Sequence, residues 1–363
     1  MQNDAYFCQF TVYYDLYLCT ARKDFRPCYG KLGMLASLFP SLPFLALTAT
    51  ANQQTKKEIV ESLGLVEPVF IEINPDRANI FFSSRRRPDR GEDKLHPILT
   101  PLIQELQDQR QNSPLTLVYG NLETVSECFM FASKTMGDLQ YEPIGSAPLA
   151  KNRMFTQFHA QYPDHERKRI VEELTKDSSK LRLLFVTVAF GIGIDVNNIR
   201  RVIHTGVPYT VQEFFQEAGR CGRDRMAAIS LVYFNSYDIA SSRNISQPML
   251  EYVMSTRCKR DIILSYLGHR VPKRTVPDHL CCDFHQQRCM WDDCMLVSLS
   301  QLFANVEDNP QSSSPLPDNS TTNSLSSRKK SKLRKLLLDY RQLLHGSGST
   351  CVGSISLSTG FSL

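Results

Sequence analysis

The chain of 363 residues carries 42 Lys+Arg against 37 Asp+Glu, a formal net charge of +5, and 42% hydrophobic residues, which is length and apolar content for two domains that each bury a core. That composition excludes disorder throughout, and no apolar run reaches the roughly eighteen residues of a membrane span. The start Met1-Gln2-Asn3-Asp4 lacks the basic and apolar regions of a secretory signal, so a soluble intracellular protein is expected, its eleven cysteines reduced and some of them on metal.

Residues 1–22 show neither alternation nor helical spacing and are left unassigned. Leu32, Leu35, Leu38 and Phe39 have helix-like spacing, Leu42 to Leu47 reads as a buried strand, and Asn52 to Leu63 reads as a helix ended by Gly64. A short strand is expected at Pro68 to Ile73. Asp76 to Lys94, with Arg85-Arg86-Arg87-Pro88 and Gly91, has the polarity and punctuation of an exposed connector between domains. A second series follows: a helix near Leu95 to Leu106, a strand Leu115 to Tyr119, helices Glu123 to Thr135 and Glu166 to Leu174, and a strand Leu181 to Thr187. It continues with a strand Arg201 to His204, a helix Val211 to Ala218 and a strand Ile229 to Phe234. Short apolar strands alternating with helices predict an α/β fold, a parallel sheet with helices on both faces. Pro248 to about Cys294 is a long helical pattern leading into a Cys/His-rich loop. Asn309 to Ser327, all but devoid of residues to bury, reads as a disordered linker.

Charge gathers at the end of the chain. Arg328, Lys329, Lys330, Lys332, Arg334, Lys335 and Arg341 against Asp339 exceed the whole net charge, so the rest is close to neutral. With Leu333, Leu336, Leu337, Tyr340 and Leu344 at helical spacing, this is an amphipathic basic helix that suits nucleic acid, nuclear import or plain solvation equally.

The most informative stretch is Gln216-Glu217-Ala218-Gly219-Arg220-Cys221-Gly222-Arg223-Asp224-Arg225, at a predicted helix end. Glycines before each arginine let two guanidinium groups project past a close backbone, and the planar, permanently charged fork matches phosphoryl oxygens. Such a pair at a domain edge suits arginine fingers on a transferring phosphoryl group; taken alone, a capped helix C-terminus explains it as well. Upstream, Phe185 to Asp195 is a strand running into a glycine-interrupted loop that can approach phosphate or a nucleic-acid backbone, and Leu47-Thr48-Ala49-Thr50-Ala51 sets hydroxyls just after a strand.

These blocks, in this order, resemble the second half of a RecQ-type DNA helicase motor, a superfamily-two enzyme with two RecA-like domains. The matching stretches are Asp24-Phe25-Arg26-Pro27 with Tyr29, Leu47 to Ala51, Asp76-Arg77 with Asn79-Ile80, Val118-Tyr119-Gly120-Asn121, Phe158-His159-Ala160, Val186 to Ile194, and Gln216 to Asp224, within roughly residues 24 to 290. The resemblance implies a RecA-like domain 1 remnant at 23–75, a connector at 76–94, RecA-like domain 2 at 95–240, a zinc-binding subdomain at 241–300, and a disordered tail at 301–363 with a basic helix near 328–345. It implies Arg220 and Arg223 as arginine fingers with Gln216 beside the nucleotide cleft. Thr187, Gly191 and Gly193 would link DNA to nucleotide, His159 would sit in a DNA-side loop, and Thr48 and Thr50 would couple the domains. DNA as partner, ATP and magnesium as cofactors, and repair and recombination in the nucleus come with the family. Beside that, His159 next to Phe158 also reads as a packed or surface histidine, and Trp291, the only tryptophan, as core rather than a base-stacking platform.

The Cys/His region invites metal. His279, Cys282 and His285 are spaced by three, so one loop can supply three ligands to tetrahedral zinc, with Cys258 as the fourth. The spacing leaves Cys281 as a substitute for His279, and Cys289 or Cys294 for His285; idle thiols are the plain alternative. This is similar to the RecQ zinc-binding subdomain, in which one helix cysteine joins three later cysteines.

A motor of this type also needs a Gly-x4-Gly-Lys-Ser/Thr loop to cradle phosphate and an acidic box to hold magnesium, and the sequence contains neither. Gly30-Lys31 has Phe25 where the first glycine belongs and Leu32 in place of the hydroxyl. Two expectations follow: a catalytically incomplete portion of an ATP-dependent 3′-to-5′ DNA helicase, or a non-catalytic nucleic-acid-binding or interaction module derived from one.

Overall fold

The computed structural model describes residues 10–13, 32–39, 44–48, 50–89, 95–176, 178–191, 195–272 and 278–288. The chain divides into Met1–Val306 and Glu307–Leu363, and every described residue lies in the first unit. The expectations for Asp24 to Tyr29, Gly193, Cys289, Trp291, Cys294, the linker and the basic helix lie outside the described residues.

The first elements form a small αβ portion. Strand β1 (Phe10–Tyr13), in a stretch the sequence left unassigned, pairs in parallel with β2 (Phe44–Leu47), Phe10 opposite Phe44 and Tyr13 opposite Leu47. Helix α1 (Gly33–Leu38) precedes β2, and α2 (Gln53–Leu63) follows it. The ends of α2 are written in its sequence: Asn52 accepts from the Thr55 amide at 2.8 Å, and Gly64, at φ 61°, closes the helix in the left-handed conformation. Ile59 and Leu63 pack on Leu32, Ala46 and Leu65. The strand expected at Pro68 to Ile73 does not form. A strand exists through its ladder, and among the described residues nothing pairs with this stretch, which leaves Val69, Phe70, Ile71 and Ile73 exposed.

The main body is a six-stranded, fully parallel sheet. In chain order it comprises β3 (Ile80–Arg86), helix α3 (His96–Gln109), β4 (Thr116–Tyr119), α4 (Leu122–Met136), β5 (Phe155–Phe158), α5 (Asp164–Leu174), β6 (Leu183–Val186), β7 (Arg201–Thr205), α6 (Val211–Ala218) and β8 (Ala228–Phe234). The spatial order is β3-β8-β7-β4-β6-β5. Successive strand residues feed opposite faces: Phe82, Leu117, Leu184 and Val202 join one core cluster, and Phe81, Val118, Phe185 and Ile203 the other. Burial on both faces is why most positions of the inner strands are apolar.

Two strands of this sheet were not expected, and they are its two edges. The segment taken as an exposed connector contains β3, which pairs with β8 along its whole length; its Ile-Phe-Phe core was hidden between Asp76-Arg77 and Arg85-Arg86-Arg87. Strand β5, Phe-Thr-Gln-Phe, is too short and too mixed to stand out.

Beyond the sheet, the long helical pattern is broken into α7 (Gln247–Met254) and α8 (Lys259–Tyr266), with a short α9 (Asp283–Gln287) after it. Lys259 makes the break: its buried ammonium donates to the carbonyls of Tyr252 at 2.5 Å and Ser255 at 3.0 Å, capping the end of α7. The polypeptide at Cys281-Cys282 then lies against the free side of β3, the Phe82 amide donating to the Cys281 carbonyl at 3.3 Å.

Candidate arginine loop, strand-end platform and metal cluster

Helix α6 is started by Thr210, whose hydroxyl accepts from the Glu213 amide at 3.1 Å, and it delivers the arginine loop at its C-terminal end. Beneath that end lies a buried pair the sequence did not single out. His204 Nε2 meets Glu217 Oε2 at 2.9 Å, and the Tyr119 ring stacks on His204 with centroids 5.2 Å apart. Burial pushes the Tyr119 phenol above its ordinary range, and the nearby Arg220 cation offsets part of that. The dyad therefore locks α6 to β7 and β4 just where the loop departs.

The loop itself is gripped from the stretch before β3. Arg77 donates through Nη1 to the Gly219 carbonyl at 2.6 Å and through Nη2 to the carbonyls of Cys221, at 2.9 Å, and Gly222. Asn79 Nδ2 donates to Gly222 O and Met226 O, each at 2.8 Å. Gly222 sits at φ +60° with Asn79 Nδ2 only 2.5 Å from where a Cβ would be, so glycine is required there. On this frame Arg220 is part-buried and donates to the Gly191 carbonyl, and Arg223 is exposed and pairs with Asp195 at 2.6 Å. Gln216 Nε2 donates to Thr50 Oγ1 at 3.1 Å, which links α6 to the first αβ portion. Thr48 is held one step back, its hydroxyl accepting from the Thr50 amide at 3.4 Å.

The remaining candidates stand along one rim. At the carboxyl ends of the adjacent strands β7, β4, β6 and β5 come Thr205-Gly206, Gly120-Asn121, Thr187 and His159. In parallel sheets this is the rim where loops meet ligands. Thr205 donates to Tyr119 O at 2.8 Å, and Asn121 caps α4 by accepting from the Thr124 amide at 2.8 Å. Burial and the neighbouring Arg167 hold the His159 imidazole below its ordinary value.

The metal-ligand candidates converge only in part. Cys258, Cys281, Cys282 and His285 bring their ligand atoms within 4.8 Å of one another, so Cys281 stands where the sequence reading set His279. His279 belongs to the preceding one-turn segment Asp278–Leu280 and is not part of the group. The Sγ atoms of Cys258 and Cys281 are 3.7 Å apart, those of Cys282 and Cys258 3.9 Å, and Cys282 Sγ lies 3.3 Å from His285 Nδ1. A tetrahedral zinc with bonds of about 2.3 Å to sulfur has sulfur–sulfur edges of about 3.8 Å, so the donor set and spacing fit one zinc ion. Hydrogen bonds from Cys258 and Cys282, aided by the Arg260 cation, pull the Cys281 thiol below its usual range, while those same contacts push Cys258 up. Asp283 ties the cluster to β3, accepting from the Ser84 amide at 2.8 Å and the Ser83 hydroxyl at 3.2 Å.

Residues 102–225 match the family described as the helicase conserved C-terminal domain. ATP-dependent DNA helicase Q-like 2 of Arabidopsis thaliana is 28% identical over 258 residues, 68% of this chain and 33% of that protein. ATP-dependent DNA helicase RecQ of Pasteurella multocida is 27% identical over 276 residues, 72% of this chain and 39% of that one. The chain carries a helicase C-terminal domain, and these curated proteins that it resembles are RecQ-type helicases. The mouse bifunctional 3′-5′ exonuclease/ATP-dependent helicase WRN aligns at 27% over 280 residues, 72% of this chain and 19% of that protein. The chain thus spans about two-fifths or less of the length of these curated relatives. Among solved structures, S. cerevisiae Dbp5 bound to RNA and ADP BeF3 is similar at 13% identity with a TM-score of 0.45, over 64% of this chain and 55% of that one. The parallel sheet and its flanking helices are the α/β architecture expected from the sequence. Among the described residues no helix is long and apolar enough to cross a membrane.

Proposed function

We propose that this RecQ-type domain serves as the second motor domain of an ATP-dependent 3′-to-5′ DNA helicase, acting in DNA repair and recombination in the nucleus. Arg220 and Arg223 act as arginine fingers toward ATP and magnesium gripped by residues this sequence does not contain. Gln216 and Thr50 pass movement between the two αβ portions. His159 and Thr187 at the strand-end rim, with Gly191 and Gly193 of the glycine-interrupted stretch, hold one DNA strand by its backbone. Zinc on the cysteine–histidine cluster supports the helical platform behind β3. The observation that carries this reading is the Arg77-clamped loop, which holds two guanidinium-bearing residues at a fixed spacing next to the helix that touches Thr50.

The polypeptide by itself hydrolyses no ATP, because without a phosphate-cradling lysine and a metal-holding acidic box most of the electrostatic stabilisation of phosphoryl transfer is missing. The test is DNA-stimulated ATPase activity and salt-dependent single-strand binding by the purified chain, beside an Arg223→Ala control. No turnover with salt-sensitive binding is expected. Turnover that disappears in the control would place a complete nucleotide site within this chain and refute the incompleteness. Failure to bind DNA even at low salt would refute the platform and leave the interaction-module reading.

A further inference from the structure

Arg77 and Arg260 belong to neither the rim nor the cluster, yet they connect the cluster to the arginine loop. Arg260 is 1% exposed, lies two residues after Cys258, and sets its guanidinium over the Phe82 ring with 5.0 Å to the centroid. On one side the amide of Phe82, whose ring Arg260 covers, donates to the Cys281 carbonyl at 3.3 Å. On the other the guanidinium pairs with Asp76 and donates to the carbonyls of Arg77, at 2.9 Å, and Ile80. The next residue along, Arg77, turns its own guanidinium the opposite way, into the three carbonyls of Gly219, Cys221 and Gly222. The run from the cluster to the backbone that carries Arg220 and Arg223 therefore starts at Cys258, the N-cap of α8, and passes through two guanidinium groups and one peptide segment. From Arg260 onward its links are hydrogen bonds from charged donors.

We propose that Arg77 is a positioning residue for the arginine loop, and that Arg260 makes its grip depend on the state of the cysteine–histidine cluster. When a metal draws Cys258 into a fixed tetrahedron, the start of α8 is fixed with it, Arg260 holds Asp76-Arg77 in place, and the three carbonyls keep their donor. When the cluster is empty, the start of α8 loses that anchor, and the segment before β3 loosens with it. The cluster then controls whether the two arginines are presented together, at a distance, without touching nucleotide or DNA. This rests on the cluster binding zinc.

The experiment is hydrogen exchange by mass spectrometry on the full chain, stripped of metal and then given one equivalent of zinc, for the wild type, Arg77→Ala and Arg77→Lys. In the wild type zinc is expected to slow exchange in peptides covering 258–288 and, by roughly tenfold, in those covering 219–226, since the clamp is several hydrogen bonds to one cation. In Arg77→Ala the response at 258–288 persists and the response at 219–226 is lost. Arg77→Lys, a point charge without the fork, restores part of it. Zinc protection of 219–226 that survives in Arg77→Ala overturns the proposal, as does a wild type in which only 258–288 responds. Failure to take up zinc overturns the metal reading instead and shows as no response at 258–288. Should Arg77→Ala not fold, Asp76→Asn breaks the same run one link earlier, and the same loss at 219–226 is expected.

Discussion

Replacing Arg260 with methionine isolates the most deeply buried charge in the described structure. Arg260 and Asp76 are 1% and 8% exposed at their side chains, and the guanidinium also serves the Arg77 and Ile80 carbonyls. Methionine keeps most of the stem volume, so the cavity cost is small. What remains is a carboxylate left in a site built for an ion pair, at about 3–5 kcal/mol, with the two carbonyls losing their donors on top. Taking about 4 kcal/mol and a urea dependence of about 2 kcal/mol per molar, the unfolding midpoint should fall by about 2 M. The assay is urea unfolding followed by circular dichroism in saturating zinc, so that changes at the cluster do not add to the result. Asp76→Asn removes the stranded charge, and the double variant should be about 2 kcal/mol more stable than the sum of the two single losses. A midpoint shift below about 0.5 M, or strict additivity, would sink the argument that this pair is a buried coupled unit.

Other perturbations have equally definite outcomes. Cys282→Ser should abolish stoichiometric zinc uptake measured by elemental analysis, and in the wild type zinc should bind more weakly as pH falls, because protons compete for the cluster thiolates. Gly222→Ala should cost about 2–4 kcal/mol in chemical denaturation, combining a left-handed backbone with a Cβ driven into Asn79 Nδ2 at 2.5 Å and the Ala228 Cβ at 2.9 Å; a neutral effect would mean that the loop is not gripped as described. Cys221, buried with its thiol pushed up to about 12 by desolvation, should resist alkylation in the native chain at pH 8, as peptide mapping will report; rapid labelling would show that the arginine loop opens.

What could be read from residues alone followed how local the signal was. Helix α2, with Asn52 and Gly64 at its ends, and the inner strands β4, β6, β7 and β8 were legible because capping chemistry and doubly buried apolar runs are properties of a few consecutive residues. The edge strands were not, since β3 is defined by its pairing with β8 and by the Cys281-Cys282 backbone against its other side, both far away in sequence. At the site, the spacing of Arg220 and Arg223 announced itself, whereas the Arg77 clamp spans more than 140 residues and leaves no periodic trace. Of the metal-ligand candidates, Cys258, Cys282 and His285 fall together, and Cys281, which the spacing left open as a substitute for His279, is the residue that joins them. Three-residue spacing favours His279, but the extended backbone at Cys282, with φ −168°, carries the chain along β3, and Cys281 is the residue found beside Cys258.

The two arginines themselves differ in what a phosphoryl group has to displace. Arg223 pairs with Asp195 at side-chain exposures of 32% and 52%, and an ion pair so open to water contributes at most about 1 kcal/mol, so a doubly charged phosphoryl group wins that competition readily. Arg220 instead donates into the Gly191 backbone, with Nη2 only 2.9 Å from where a Cβ would sit, and its release leaves a shielded carbonyl without a partner. Arg223 is thus the more exposed of the two, and Arg220 ties the Thr187–Gly191 segment to the loop. Arg223→Ala should therefore cost less stability than Arg220→Ala, which should cost about 1–3 kcal/mol and raise hydrogen exchange at 187–191. Equal losses from both substitutions would show that the two guanidinium groups are held alike, and the division of labour drawn from their partners would fall.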